Sequence, residues 1–336
     1  MKYKKIVVTR RGGPDVMQVV ENELPPLAAG EVRIRTLAAS VTLPEVEARY
    51  GRSPFPPKLP FTPGYAIVGD VDAVGRDVIS PIQPGDRVAA LTVYGGYSEY
   101  VYWPAKKLIP VPASLDPALV VPLILNYIVA YQTLHRTARA KAMQTALMIG
   151  ASGGIGTALL QLGRLAGLKM YGIASKSKHA ILLEYGATPI DYKSEDFVQV
   201  LRQLEPTGLD FVFDGMGGDY LARGFNLLKR GGAWVSYANP GSLRGMFDLL
   251  GRMVWLNLLP NGRALKLYGT GASFLDMRPF LQDWAALFTL LKEGKIAPVI
   301  AAKFPILEAA KANELLESGQ VVGNVVLVAP DLEESP

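Results

Sequence analysis

Residues 147–162 read LMIGASGGIGTALLQL: an apolar run of strand length, a glycine cluster, then apolar positions at helical spacing. Ala151, Gly153 and Gly156 keep the GxGxxG spacing with alanine in first place. Glycine in a helix costs up to about 1 kcal/mol relative to alanine, so glycines clustered at a helix start must serve something else. Ala151 and Gly153 permit a tight turn and close approach of a pyrophosphate. Gly156 lets the helix pack on the strand, and the helix N-terminus faces the anion. Ala151, Ser152, Gly153, Gly154, Ile155 and Gly156 thus form a candidate dinucleotide cradle; without a ligand they would make only a tight strand-to-helix turn.

The end of the next strand selects the dinucleotide. An NAD site offers a carboxylate there for the ribose diol. This chain offers Ala174, Ser175, Lys176, Ser177 and Lys178. A hydroxyl and two ammonium groups suit a 2′-phosphate, through charge-assisted hydrogen bonds worth roughly 1.5–3 kcal/mol each, so NADPH is expected over NADH. The other reading is that the lysines open the next helix on a wet surface.

Other chemistry is limited by composition. The 336 residues contain no cysteine, which removes disulfides, thiolate nucleophiles and sulfur-based zinc sites. His135 and His179 have no closely spaced carboxylates beside them, so no metal is expected. The net charge of +5 is spread among acidic residues rather than gathered in a stripe, which argues against nucleic acid. The N-terminus lacks an apolar segment of signal-peptide length, and a cytoplasmic protein is expected. The longest apolar stretch, at 120–131, is too short to span a bilayer and contains Pro122 and Asn126.

These groups need a scaffold of two domains, the expectation for this length. Up to about residue 121 short alternating strands are separated by Pro and Gly clusters, as in a compact antiparallel domain. Strands and helices then alternate, predicting a parallel sheet covered on both faces, with a helix from Gly154 to about Ala166. The last sixty or so residues mix helices at 278–293 and 308–317 with two strands, a tail able to rejoin the first domain.

RIRTLAASVTLPEVEARYG, LPFTPGYAIVGDVDAVG, PGDRVAAL, GGYSEYV, the glycine-rich segment through GATPIDY, and DFVFDGMGG follow one another in a familiar order. Nearly the whole chain resembles the medium-chain dehydrogenases/reductases, in their zinc-free, NADPH-dependent quinone oxidoreductase (zeta-crystallin-like) branch. The resemblance implies an α/β protein with a GroES-like β-rich catalytic domain from residues 1–121 and 273–336. A Rossmann doubly wound parallel-sheet domain would occupy 122–272, in a homodimer whose cleft holds cofactor and substrate. By the same resemblance Lys176 and Tyr192 lie near the 2′-phosphate, Asn239 beside the cofactor, and Gly323 and Asn324 near the nicotinamide. Turn or capping roles stand beside these, for Asn239 and Asn324 especially. Val41, Thr42 and Ala66 occupy the neighbourhood where zinc-dependent relatives carry cysteine and glutamate. Thr42 and Glu45 replace the Asn-x-x-Asp of many quinone reductases.

Without a Lewis acid, a quinone or α,β-unsaturated carbonyl is the easier hydride acceptor, because charge delocalises into a hydroquinone or enolate anion. Positioning and one hydrogen-bond donor then suffice. Thr42 and Tyr50, in the segment resembling the substrate side, and Asn126 or Tyr127 are the candidate donors. Reduction of an enoyl thioester, or NADPH binding without catalysis, are the alternatives. Residues 241–270 insert apolar side chains at helical spacing: a lid, a membrane patch, or a helix packed at a domain or dimer interface.

Overall fold

Alternating apolar residues make the first strands, and the glycine and proline clusters between them set the turns. The computed structural model describes residues 1–79 and 81–332. Two units divide the chain: Met1–Arg52, Pro56–Leu125 and Met277–Pro336 in one, Ser53–Phe55 and Asn126–Asp276 in the other. The chain changes unit a few residues beyond the expected positions, because the composition shift at 121 falls inside a helical segment rather than at its end.

In the first unit β1 (Lys2–Val8) and β2 (Met17–Glu23) form an antiparallel ribbon. Strand β3 (Glu31–Val41) leads into α1 (Leu43–Tyr50), and β4 (Ala66–Val74) and β5 (Arg87–Leu91) follow. Then come β6 (Tyr100–Pro104), β7 (Ile109–Pro110) and α2 (Pro117–Pro122), whose N-cap Asp116 accepts from Ala118 N at 2.8 Å. Helical turns continue through α3 (Ile128–Tyr131) as far as Ala138, with π-type stretches on either side of α3.

That continuation corrects one expectation. Pro117–Ala138 is 22 residues long and apolar enough to cross a membrane, yet 89% of its apolar window is buried inside the protein. Buried Gln132 and Thr133 carry the helix past the apolar run, the Thr133 hydroxyl donating to the Val129 carbonyl at 2.7 Å.

The second unit alternates β8 (Thr145–Ile149), α4 (Gly154–Leu165), β9 (Lys169–Ala174), α5 (His179–Glu184) and β10 (Ala187–Asp191). It continues through α6 (Phe197–Leu204), β11 (Leu209–Asp214), α7 (Tyr220–Gly224), β12 (Leu228–Ser236), α8 (Leu243–Leu258) and β13 (Ala264–Leu267). All six strands are parallel, in the order β10-β9-β8-β11-β12-β13. That is the doubly wound Rossmann order, and its switch point lies between β8 and β11. Leu147, Ile149, Val212 and Trp234 anchor the core, each side chain contributing roughly 1.5–3 kcal/mol by its burial.

The tail, α9 (Arg278–Lys292), β14 (Ile300–Pro305), α10 (Ala309–Glu317) and β15 (Asn324–Val328), belongs to the first unit. Strand β15 pairs antiparallel with β3, completing the seven-stranded sheet β14-β15-β3-β4-β5-β7, with β6 also paired to β3. The first-domain strands of the sequence reading pair antiparallel, but β14 and β15, in the returning tail, do not pair antiparallel with each other. They are parallel because α10 connects them as a crossover, which a hairpin could not do.

Candidate functional site

At the carboxyl end of β8 the chain turns through Gly150, whose φ of +78° only glycine adopts without strain. The sequence reading missed this residue, which precedes the fingerprint and makes the turn that had been assigned to Ala151 and Gly153. Ala151 is fully buried and its N–H bonds the Ile173 carbonyl at 3.1 Å, tying the loop to β9. Its methyl fits because the next strand carries Gly172 opposite it. A Cβ on Gly156 would run into the backbone of Gly150 and Ala151, so that glycine lets α4 rest on the strand.

Gly153 behaves differently. A Cβ there would meet only the Gly150 carbonyl oxygen, at an ordinary 3.6 Å, so packing within the protein does not demand glycine. It is the N-cap of α4 and has no side chain to cap with, and no side-chain hydrogen bond closes the first turn. The N–H groups of Gly154, Ile155 and Gly156 precede any carbonyl of their own helix and face outward with the positive end of the helix dipole. Buried Ser152 flanks them. The arrangement accepts an anion at the switch point of the sheet.

Beside it, after β11, Asp214 Oδ1 accepts from the N–H groups of Met216 and Gly217, each at 2.9 Å, and Oδ2 from Trp234 Nε1 at 3.2 Å. Burial raises this carboxyl above its ordinary range. The bonds fix the loop 214–218, whose Met216 side chain lies over Gly150.

After β9, Lys176 is exposed, Ser175 and Ser177 have their hydroxyls 3.3 Å apart, and partial burial lowers the Lys178 amine. A carboxylate is nearby after all, on β10. Asp191 accepts from Ser194 Oγ at 2.8 Å, from Lys193 N at 3.1 Å and from the backbone of Lys176. These bonds, the serine first, hold its carboxyl below the usual range. Its oxygens brace the turn. Tyr192, next to it, is exposed. Asn239, also exposed, closes an Asx turn with Oδ1 accepting from Gly241 N at 3.0 Å.

In the first unit Thr42 and Glu45 cap α1 reciprocally. Glu45 Oε2 accepts from Thr42 N at 2.7 Å and from the Thr42 hydroxyl, while Oε1 accepts from Tyr65 N at 2.8 Å. Burial pushes the Glu45 carboxyl up to about 7, the three hydrogen bonds opposing it. Sequence reading noted Glu45 only as a substitution; the Thr-x-x-Glu capping signature was the signal available. Val41 and Ala66 are buried apolar neighbours on β3 and β4. Tyr50 donates to Glu317 Oε2 at 2.9 Å, and its ring lies under the guanidinium groups of Arg49 and Arg52, 4.8 Å and 4.6 Å from its centroid. Arg49, fully buried, pairs with the same Glu317.

Asn324, at the start of β15, donates from Nδ2 to the Val299 carbonyl at 3.0 Å. Gly323 before it has a φ of +82°. Asn126 and Tyr127 are buried in the π-type stretch, where burial pushes the Tyr127 hydroxyl up. The structure therefore gathers Ala151–Gly156, Ser175, Lys176, Tyr192 and Asn239 in the second unit, at carboxyl ends of its strands. Thr42, Tyr50 and Asn324 lie in the first.

Residues 28–113 match a family model described as an alcohol dehydrogenase GroES-like domain, and residues 185–327 one described as a zinc-binding dehydrogenase. A zinc donor set is missing: the chain has no cysteine, and among the described residues no three His, Cys, Asp or Glu side chains cluster. The chain is 33% identical, over 96% of its length and 86% of the relative's, to the synaptic vesicle membrane protein VAT-1 homolog of Homo sapiens. It is 28% identical, over 97% of each, to the quinone oxidoreductase of Mus musculus. The Escherichia coli quinone oxidoreductase complexed with NADPH superposes with a TM-score of 0.85 at 28% identity, over 97% of this chain and 99% of that one.

Proposed function

Because the chain belongs to the medium-chain dehydrogenase/reductase superfamily, in its zinc-free quinone oxidoreductase-like branch, we propose that it is an NADPH-dependent reductase of quinones or α,β-unsaturated carbonyls. The observation that carries this reading is the uncapped first turn of α4 at the switch point, with Gly153 left open toward solvent. Lys176, Ser175 and Tyr192 favour a 2′-phosphate, and Asp191, committed to its own turn, leaves no carboxylate to favour a free ribose. The solved quinone oxidoreductase of Escherichia coli is complexed with NADPH, in keeping with that choice.

NADPH would supply the hydride; the chain must hold the acceptor and deliver one proton. Thr42 is the proposed donor. Its hydroxyl is hydrogen-bonded to Glu45, a carboxyl that burial keeps partly protonated near neutral pH and so able to replace the proton Thr42 gives up. Tyr50 is less suited, since the Glu317 carboxyl to which its hydroxyl donates is shared with the buried Arg49 guanidinium. Asn126 is retained as a hydrogen-bond donor that would orient the acceptor.

The test follows NADPH absorbance with a panel of quinones, 2-alkenals and enoyl thioesters. Oxidation with the first two classes is expected. Turnover of thioesters alone would replace the reading by an enoyl-thioester reductase. A rise in Tm with NADPH but no oxidation of it would leave a binding protein without catalysis.

A further inference from the structure

The loop after β11 places a thioether beside the anion cradle. Residues 214–218 read DGMGG, and the two N–H bonds to Asp214 Oδ1 fix the backbone of Met216 and Gly217. The Met216 side chain is 59% exposed, yet its Cγ and Sδ stand 3.3 Å from where a Cβ on Gly150 would lie. Gly150 adjoins the first turn of α4, its carbonyl accepting from Gly153 N at 3.2 Å. Strands β8 and β11 are neighbours on either side of the switch point, so this sulfur lies at the crevice in which such sheets hold a ligand. Met148 and Met170 are buried in the sheet, and the exposed Met143 precedes β8, at the strand's opposite end.

We propose that Met216 is an oxidation site through which hydrogen peroxide switches off coenzyme binding. Peroxide transfers one oxygen to the exposed thioether: the O–O bond breaks, an S–O bond forms, the sulfur gives up two electrons, and the other oxygen leaves as water. The product is a polar sulfoxide whose oxygen only accepts hydrogen bonds. The N–H groups that open α4 have no side-chain cap and are the donors such an oxygen would take. It also sets its negative end against a pyrophosphate, where the thioether offered an apolar contact. The inference rests on the reading of the cradle as an NADPH site and extends it to regulation. A hydroquinone formed by the proposed reaction passes two electrons and two protons to dioxygen, which regenerates the quinone and yields the peroxide. Loss of coenzyme binding then stops NADPH from being consumed in that cycle.

Fluorescence titration with NADPH, before and after the full chain is treated with hydrogen peroxide, tests this, with peptide mass spectrometry locating the added oxygen. The oxidised native protein is expected to bind NADPH about tenfold or more weakly with unchanged circular dichroism, and methionine sulfoxide reductases A and B together to restore binding. In Met216→Leu, whatever its starting affinity, the value should be the same before and after peroxide. Met143→Leu, which removes an exposed sulfur remote from the cradle, should keep the native loss. The inference is overturned if Met216 takes up no oxygen at doses that oxidise Met143, if affinity survives its oxidation, or if Met216→Leu loses affinity as the native chain does. A change in circular dichroism on oxidation overturns it as well, by assigning the loss to unfolding. Failure to bind NADPH before treatment would refute the coenzyme reading itself, whereas binding that peroxide leaves alone refutes only the switch.

Discussion

Lys176 and Gly156 have different proposed roles toward the coenzyme, and substitution separates them. Lys176→Ala removes an exposed ammonium group without disturbing packing. It should cut NADPH affinity about tenfold or more and leave NADH affinity alone, as read by fluorescence titration; equal losses for both would deny it contact with the 2′-phosphate. Gly156→Ala pushes a methyl into the backbone of Gly150 and Ala151, so it should lower both Tm and affinity for either coenzyme. Tyr50→Phe deletes the bond to Glu317 and should lower Tm slightly while kcat on an enone stays within about twofold. The role of Gly156 was legible in the sequence because helix-on-strand packing is local. That of Tyr50 was not, since its partner lies 267 positions along the chain.

Helix α1 illustrates what an element adds to its residues. Its N-terminus is closed by Thr42 and Glu45, and the same carboxylate reaches across to Tyr65 ahead of β4. Since burial raises the Glu45 carboxyl from an unfolded value near 4.5 to about 7, the folded chain binds this proton more tightly than the unfolded chain. Stability at this site is therefore greatest below pH 4.5 and is lost as pH rises toward 7, by on the order of 3 kcal/mol. Urea midpoints measured between pH 4.5 and 8 should show that slope in the native chain and a shallower one in Glu45→Gln. The same substitution should reduce kcat if Glu45 resupplies Thr42. A flat native profile would remove both roles. The Thr-x-x-Glu spacing could have announced the cap, but nothing in it foretold burial, which depends on elements distant in sequence.

At the scale of the whole molecule, two units share one chain whose tail returns to its first sheet through β15 on β3. A coenzyme held by the second unit should stabilise that unit: NADPH at 100 times its Kd adds about 2.7 kcal/mol, and calorimetry should show the gain in the unfolding transition that exposes Trp234. The sequence by itself determined the parallel α/β unit, the glycine-rich turn from strand to helix and the absence of cysteine, because helical and strand periodicity, turn chemistry and composition are carried by neighbours along the chain. Only the tertiary structure decided that Asp191 braces a turn, that β14 and β15 run parallel, and that Pro117–Ala138 is buried. It also decided that α8 leaves an apolar face open to solvent. In each case the outcome rests on which distant surfaces meet and exclude water, and local pattern does not encode that.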